Sequence, residues 1–202
     1  MEAKPTIFVV DDDLAVLRAL KTLIEAVFPD VETYSSASEF LEKYDSSRPG
    51  CLLLDVAMPG MSGLELQARL GQENINLPVV FITGHGNVRM AVDAMQAGAV
   101  DFLEKPFREH ELCESIRAAL RLDTQNRRRR SERVRLERQV STLSEGERQV
   151  FDLILKGKCN REMAAELELS IRTIEDRRSR LMKKMQANSV VELVQLATMH
   201  SE

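Results

Sequence analysis

The residues best able to do chemistry stand directly behind short apolar runs. Asp11, Asp12 and Asp13 follow TIFVV (6–10), and Asp55 follows CLLL (51–54). Thr83 and Gly84 follow PVVFI (78–82), and Glu104, Lys105 and Pro106 follow AVDFL (99–103). Carboxylates gathered in one crevice repel each other and stay ionised together at neutral pH only beside a cation. Mg²⁺ suits such a set, because it accepts one or two carboxylates along with waters and phosphate oxygens. A carboxylate is also a nucleophile that can form an aspartyl-phosphate. The metal and an ammonium would neutralise charge on the transferring phosphoryl group, and a hydroxyl on a facing strand would hydrogen-bond one of its oxygens. Two acids, a central Asp, a Thr and a Lys therefore make a complete phosphoacceptor site with Mg²⁺ as cofactor. Singly, each Asp is an ordinary turn or helix-cap residue. The coincidence at four strand ends is what argues for a site.

Such a site requires the apolar runs to be neighbouring strands. Short continuous apolar runs bounded by turn residues fit strands buried on both faces, as in a parallel sheet. Helical spacing separates them: Leu14, Leu17, Leu20, Leu23 and Ile24; Leu64, Leu66 and Leu70; Val88, Ala91, Val92 and Met95; Leu112, Ile116, Ala119 and Leu120. A weaker strand, VETY (31–34), and a helix over 38–44 complete five βα units. The fold class expected is α/β, a doubly wound five-stranded parallel (βα)5 domain over 1–122, with ligands bound beyond the carboxyl ends of the strands.

The rest of the chain reads differently. Residues 123–140 hold seven Arg, three acids and no Gly or Pro, which predicts a charged, helical linker with Arg127–Arg130 solvated. Residues 141–202 lack strand signals. Four helices are expected there, over 145–156, 160–168, 171–186 and 189–199. Ser144 and Glu147 form a capping box, Gly157 ends the first helix, Asn160 starts the second and Ser170 caps the third. Short turns in an all-α four-helix unit match helix-turn-helix architecture.

Composition agrees with two domains. The 202 residues are 44% hydrophobic with no Trp, enough for aliphatic cores. Residues 1–122 carry 11 Lys/Arg against 19 Asp/Glu, whereas 123–202 carry 17 against 13. An acidic front and a basic back imply different partners, the back one a polyanion. No apolar run approaches a membrane span, and the N-terminus lacks the pattern of a signal peptide, so a cytoplasmic location is expected. Cys51, Cys113 and Cys159 are far apart and odd in number, which reads as reduced, structural cysteine.

The segments VVDDD (9–13), LLLDVAMPGMSGLEL (52–66), VVFITGHG (79–86) and VDFLEKPF (100–107) make the first domain resemble the receiver domain of two-component response regulators. The resemblance implies that a sensor histidine kinase phosphorylates Asp55. It implies that Asp12, Asp55 and the Ala57 carbonyl hold Mg²⁺, with Asp11 acting through water, and that Thr83 and Lys105 contact the phosphoryl oxygens. Phe102 falls at the family's aromatic switch position, with Thr83 moving toward the phosphoryl group and Phe102 turning inward. The family also implies a cis Lys105–Pro106 bond, and dimerisation through the face over 87–121. Asp13 reads as a helix cap. Ala57 offers no side chain to orient a hydrolytic water, a role His85 could take in slow autodephosphorylation.

The stretch over 143–197, with LSEGERQV, the Gly157 turn, Asn160–Arg161 and RTIE, resembles the LuxR-type helix-turn-helix, and the combination resembles FixJ-like or NarL-like regulators. Double-stranded promoter DNA is the expected partner. Arg172, Thr173, Glu175, Asp176, Arg177, Arg178, Arg180, Lys183 and Lys184 are the candidate contacts. Ile171, Ile174, Leu181 and Met185 are expected to form the inward stripe of the recognition helix. Asp176 stands where many relatives carry an apolar or aromatic residue, and 141–202 is charge-neutral with ten basic and ten acidic groups.

Two other readings remain. One is an enzyme forming an aspartyl-phosphate, which usually needs a second acid just beyond the nucleophile and a cap domain; Val56 and Ala57 follow Asp55 instead. The other is a signalling adaptor whose helical domain binds protein, such as RNA polymerase, or RNA.

Overall fold

The computed structural model describes residues 4–84 and 88–198; His85, residue 87 and His200 lie outside the described residues. The chain packs as two compact units that divide between Arg127 and Arg128.

In the first unit β1 (Thr6–Val10), β2 (Val31–Tyr34), β3 (Gly50–Asp55), β4 (Val79–Thr83) and β5 (Asp101–Glu104) form one parallel sheet in the order β2-β1-β3-β4-β5. Helices α1 (Leu14–Glu25), α2 (Ala37–Lys43), α3 (Gly63–Gln72), α4 (Val88–Gln96) and α5 (Glu109–Ser141) follow the strands in turn. Successive side chains on a strand point to opposite faces. Phe8, Val10, Leu52, Leu54 and Phe81 pack with Phe40 of α2, Leu66 and Leu70 of α3 and Ala94 of α4. Ile7, Val9, Leu53, Val80 and Ile82 pack on the other face with Leu17, Leu20 and Ile24 of α1 and Leu112, Ile116 and Ala119 of α5. Both faces are covered, which is why these strands are unbroken apolar runs rather than alternating ones. Each fully buried Leu or Ile contributes about 1.5–3 kcal/mol. Leu14, in contrast, is 57% exposed at the first position of α1 and belongs to no core.

Polar side chains set where the helices begin. Asp13 accepts from the Ala15 and Val16 N–H groups and caps α1. Ser36 caps α2, and Ser62 forms a capping box with Glu65 at the start of α3.

α5 runs through the segment read as a charged linker. Arg127 is not solvated there. It pairs with Asp123 one turn earlier and donates to the carbonyls of Ser46, Ser47 and Arg48, just before β3. Arg128, Arg129 and Arg130 are exposed.

The second unit contains the end of α5 and four further helices: α6 (Glu145–Leu155), α7 (Asn160–Glu166), α8 (Ile171–Met185) and α9 (Val190–Thr198). Leu136 of α5 is buried with Val150 and Ile154 of α6, Met163 of α7, Ile174, Leu181 and Met185 of α8 and Leu193 of α9. This part of the linker is therefore core as well as surface. The Ser144–Glu147 capping box begins α6, and Gly157 in the left-handed region (φ 76°) follows its end. Ser170 accepts from the Thr173 N–H and caps α8. Ile171 departs from the expected inward stripe. At the first position of α8 it is 48% exposed, because packing against the core begins only at Ile174.

Candidate functional site

The sheet order explains how residues far apart in sequence meet. β1 lies between β2 and β3, so the chain leaves β1 and β3 toward opposite faces and a crevice opens at their carboxyl ends. Val10 pairs in register with Leu54, which sets Asp11 and Asp55 side by side at the head of that crevice. Asp55 also pairs with Ile82, and Thr83 with Glu104, so β4 and β5 bring Thr83 and Lys105 to the same sheet edge.

Lys105 joins the two acids. Its Nζ donates to Asp11 Oδ2 at 2.7 Å and to Asp55 Oδ1 at 3.1 Å. The Lys105 N–H donates to the Thr83 carbonyl at 2.8 Å, anchoring the backbone from which this side chain reaches, and the Lys105–Pro106 bond is cis. The remaining carboxylate oxygens are engaged by backbone. Asp11 Oδ1 accepts from the Asp13 N–H at 2.9 Å, and Asp55 Oδ2 from the Ala57 N–H at 2.8 Å. Gly63 closes the site from below: a Cβ there would sit 2.3 Å from the Asp55 carbonyl oxygen. Only glycine lets the first turn of α3 approach the end of β3 so closely.

Asp11 and Asp55 are 3% and 8% exposed. Burial pushes the Asp55 carboxyl above the usual carboxylate range, and the Lys105 hydrogen bond pulls against it. Burial opposes the charge on Lys105 too, but the hydrogen bonds to Asp11 and Asp55 outweigh it and hold the ammonium above its ordinary value.

The donor set is that of a hard, partly hydrated cation. Two buried carboxylates face one ammonium, which leaves the cluster negative before exposed Asp12 is counted. Among the described residues, no group of three or more His, Cys, Asp or Glu side chains is gathered as a metal cage. Mg²⁺ needs no such cage, since it takes few carboxylates and keeps several waters. Thr83 is buried at 1% exposure. Phe102 is half-buried on β5, with its ring centroid 6.2 Å from that of Phe81.

The second candidate surface is on α8. Its buried residues, Ile174, Leu181 and Met185, stand seven and four positions apart, two turns and then one turn along a single face. The opposite row therefore runs Arg172, Asp176, Ser179, Arg180 and Lys183, all exposed. Glu175 is exposed beside it, and Thr173 is tied to Ser170 at the cap. Three more of the expected contact residues bond within the unit. Arg178 donates to Asn160 Oδ1 of α7 at 2.6 Å. Lys184 donates to Glu147 at 2.6 Å and to the Thr142 carbonyl at 2.9 Å. Arg177 lies across Gly146 and reaches Gln149 at 3.5 Å. Sequence periodicity identified the basic helix but not these partners, which come from α6, α7 and the turn before α6.

The receiver domain model of response regulators matches residues 7–117, and the model of bacterial regulatory proteins of the luxR family matches residues 141–197. The chain belongs to the response regulator family. This response regulator is 45% identical over 190 residues to the response regulator protein TodT of Pseudomonas putida, covering 94% of this chain and 84% of TodT. It is 40% identical over 197 residues to the transcriptional regulatory protein FixJ of Bradyrhizobium diazoefficiens, covering 98% and 96%. The solved response regulator StyR is 43% identical and superposes with a TM-score of 0.84, covering 97% of this chain and 99% of StyR. A receiver joined to a luxR-type helix-turn-helix makes this response regulator a transcription factor rather than a classical enzyme, with a histidine kinase and DNA as its partners. Receiver domains typically bind Mg²⁺. The adaptor reading is not favoured. Among the described residues, no helix is long and apolar enough to cross a membrane.

Proposed function

We propose that Asp55 is the phosphoacceptor of this response regulator, and that its phosphorylation in the cytoplasm drives dimerisation and sequence-specific promoter binding. The observation that carries this reading is the convergence of Lys105 on Asp11 and Asp55 at 2.7 and 3.1 Å. An Asp55 oxygen attacks the phosphorus of a phosphohistidine; the new P–O bond forms as the P–N bond to the imidazole breaks. Lys105 is placed to meet a phosphoryl oxygen once its bond to Asp55 is exchanged, while Asp11 keeps the ammonium in position. The Ala57 N–H continues to orient the carboxyl group. Thr83 supplies a hydroxyl from the end of β4. Asp12, Asp55 and the Ala57 carbonyl would hold Mg²⁺, with Asp11 acting through water, and the bound metal would supply positive charge to offset that of the phosphoryl group.

Thr83 and Phe102 form the switch. Thr83 moves toward the phosphoryl group, and Phe102 turns into the space it leaves. The face over 87–121 then changes shape and pairs with a second copy. The working divisions are a receiver over 1–122, a charged helical linker over 123–140 and a DNA-binding domain over 141–202. Arg172, Thr173, Glu175, Asp176 and Arg180 meet base edges and backbone. Arg177, Arg178, Lys183 and Lys184 serve chiefly phosphates, Arg178 and Lys184 after exchanging their internal partners. Slow autodephosphorylation resets the switch, and RNA polymerase is a further partner at the promoter. The test is gel filtration and duplex binding of wild type and Asp55→Ala, with and without a small-molecule phosphoryl donor. Donor-dependent dimerisation and tighter binding in wild type alone are expected. The same oligomer and affinity throughout would overturn the phosphoswitch.

A further inference from the structure

We propose that Asp176 is a specificity-determining residue that reads a cytosine in the major groove. The inference rests on the reading of α8 as a DNA-recognition helix and deepens it.

Asp176 is exposed in the outward row of α8, opposite buried Ile174 and Leu181. Arg172 and Arg180 stand one turn before and one turn after it, a spacing at which oppositely charged side chains commonly pair. Neither pairs with Asp176, and its carboxylate makes no hydrogen bond or ion pair among the described residues. On the inner flank of the same helix Arg178 is held by Asn160 and Lys184 by Glu147, whereas the outward row around Asp176 is left to face solvent. No side-chain hydrogen bond or ion pair among the described residues therefore accounts for a carboxylate at this position.

Its charge is the wrong sign for its surroundings. Arg172, Arg180 and Lys183 make this row basic, suited to a polyanion. A bare carboxylate among them is repelled by phosphates and weakens non-specific binding. It becomes favourable only where the duplex offers a hydrogen-bond donor. Major-groove edges offer two, cytosine N4 and adenine N6. Adenine sets the N7 acceptor beside its N6 donor, which faces a carboxylate lone pair against another lone pair. Cytosine sets only C–H beside its donor, so it accepts a carboxylate without that conflict. Arg172, one turn away on the same row, can donate to the guanine O6 and N7 of a neighbouring pair. Asp176 thus lowers affinity for DNA at large and restores it at sites with cytosine in one position.

The test selects the preferred duplex of the full-length, phosphoryl-donor-treated protein from a randomised pool. Affinities are then measured for the four bases at each position, with wild type, Asp176→Ala, Asp176→Asn and Asp152→Asn. Wild type is expected to prefer cytosine at one half-site position by about tenfold or more. Asp176→Ala should flatten that position alone to within about twofold and bind random duplex more tightly. Asp176→Asn should shift the preference toward adenine, whose N6 and N7 match a carboxamide. Asp152→Asn, an exposed carboxylate of α6 outside the recognition helix, should leave the cytosine preference intact. An unaltered cytosine preference in Asp176→Ala would overturn the inference while leaving DNA recognition standing. Absence of salt-dependent duplex binding in wild type would overturn both.

Discussion

Asp123 and Arg127, one turn apart on α5, form an ion pair with the Arg127 Nε 2.9 Å from Asp123 Oδ2. The same Asp123 oxygen accepts from the Gly50 N–H at 3.0 Å, at the start of the central strand β3. Asp123 is 3% exposed, so removing its carboxylate strands both a buried backbone donor and a guanidinium. Asp123→Ala is expected to destabilise the first unit by about 3 kcal/mol in urea unfolding. Arg127→Ala, which leaves Gly50 satisfied, should cost about 1–2 kcal/mol. Equal, small losses would mean that the pair is only a surface ion pair.

Gly63 tests how tightly the fold grips the site. A Cβ at this position would meet the Asp55 carbonyl oxygen at 2.3 Å and Leu54 Cγ at 3.0 Å. Gly63→Ala must move either α3 or the end of β3. A loss of about 1–3 kcal/mol in unfolding, accompanied by slower phosphorylation of Asp55, is expected. Wild-type stability and rate would show that the approach of α3 to Asp55 can relax freely.

The second unit should have its own acid limb. Lys184 holds the Glu147 carboxyl below its ordinary value of 4.5, helped by the Ser144 N–H. A depressed folded-state value means stability that is fully present above the ordinary value. It is lost as pH falls below 4.5 and through the folded value. Hydrogen exchange of α6 and α8 amides is expected to accelerate over that window in wild type. In Glu147→Gln this part of the pH dependence should disappear, and an identical profile would remove Glu147 as its source.

Ala57 bears on the lifetime of the phosphorylated state. It is exposed, its N–H holds Asp55 Oδ2, and its methyl group cannot orient water. Ala57→Asn is expected to shorten the aspartyl-phosphate half-life several-fold, followed by loss of radiolabel after donor removal. An unchanged half-life would show that water is positioned from elsewhere.

The cluster of Asp11, Asp55 and Lys105 was legible in the sequence because each member follows or ends an apolar strand, and a parallel sheet has only one edge where such ends meet. The unbroken apolar runs of doubly covered strands, the capping residues Asp13, Ser144 and Ser170 and the Gly157 stop were legible for the same local reasons. What escaped was tertiary. The i, i+4 spacing of Asp123 and Arg127 hinted at a pair, but nothing local pointed to Gly50 or to the carbonyls before β3. Ile171 shares the spacing of the buried stripe, yet its place at the helix start lies beyond the core. Arg178 and Lys184 read as free basic groups because their partners, Asn160 and Glu147, sit on other helices.

The central claim is that Asp55, held with Asp11 by Lys105, takes the phosphoryl group. Intact-mass and peptide mass spectrometry after treatment with a small-molecule phosphoryl donor and Mg²⁺ tests it most directly. One added phosphoryl group is expected on the peptide containing Asp55 in wild type, dependent on Mg²⁺ and absent from Asp55→Asn. Undiminished phosphorylation of Asp55→Asn, or the group found on another residue in wild type, would contradict it.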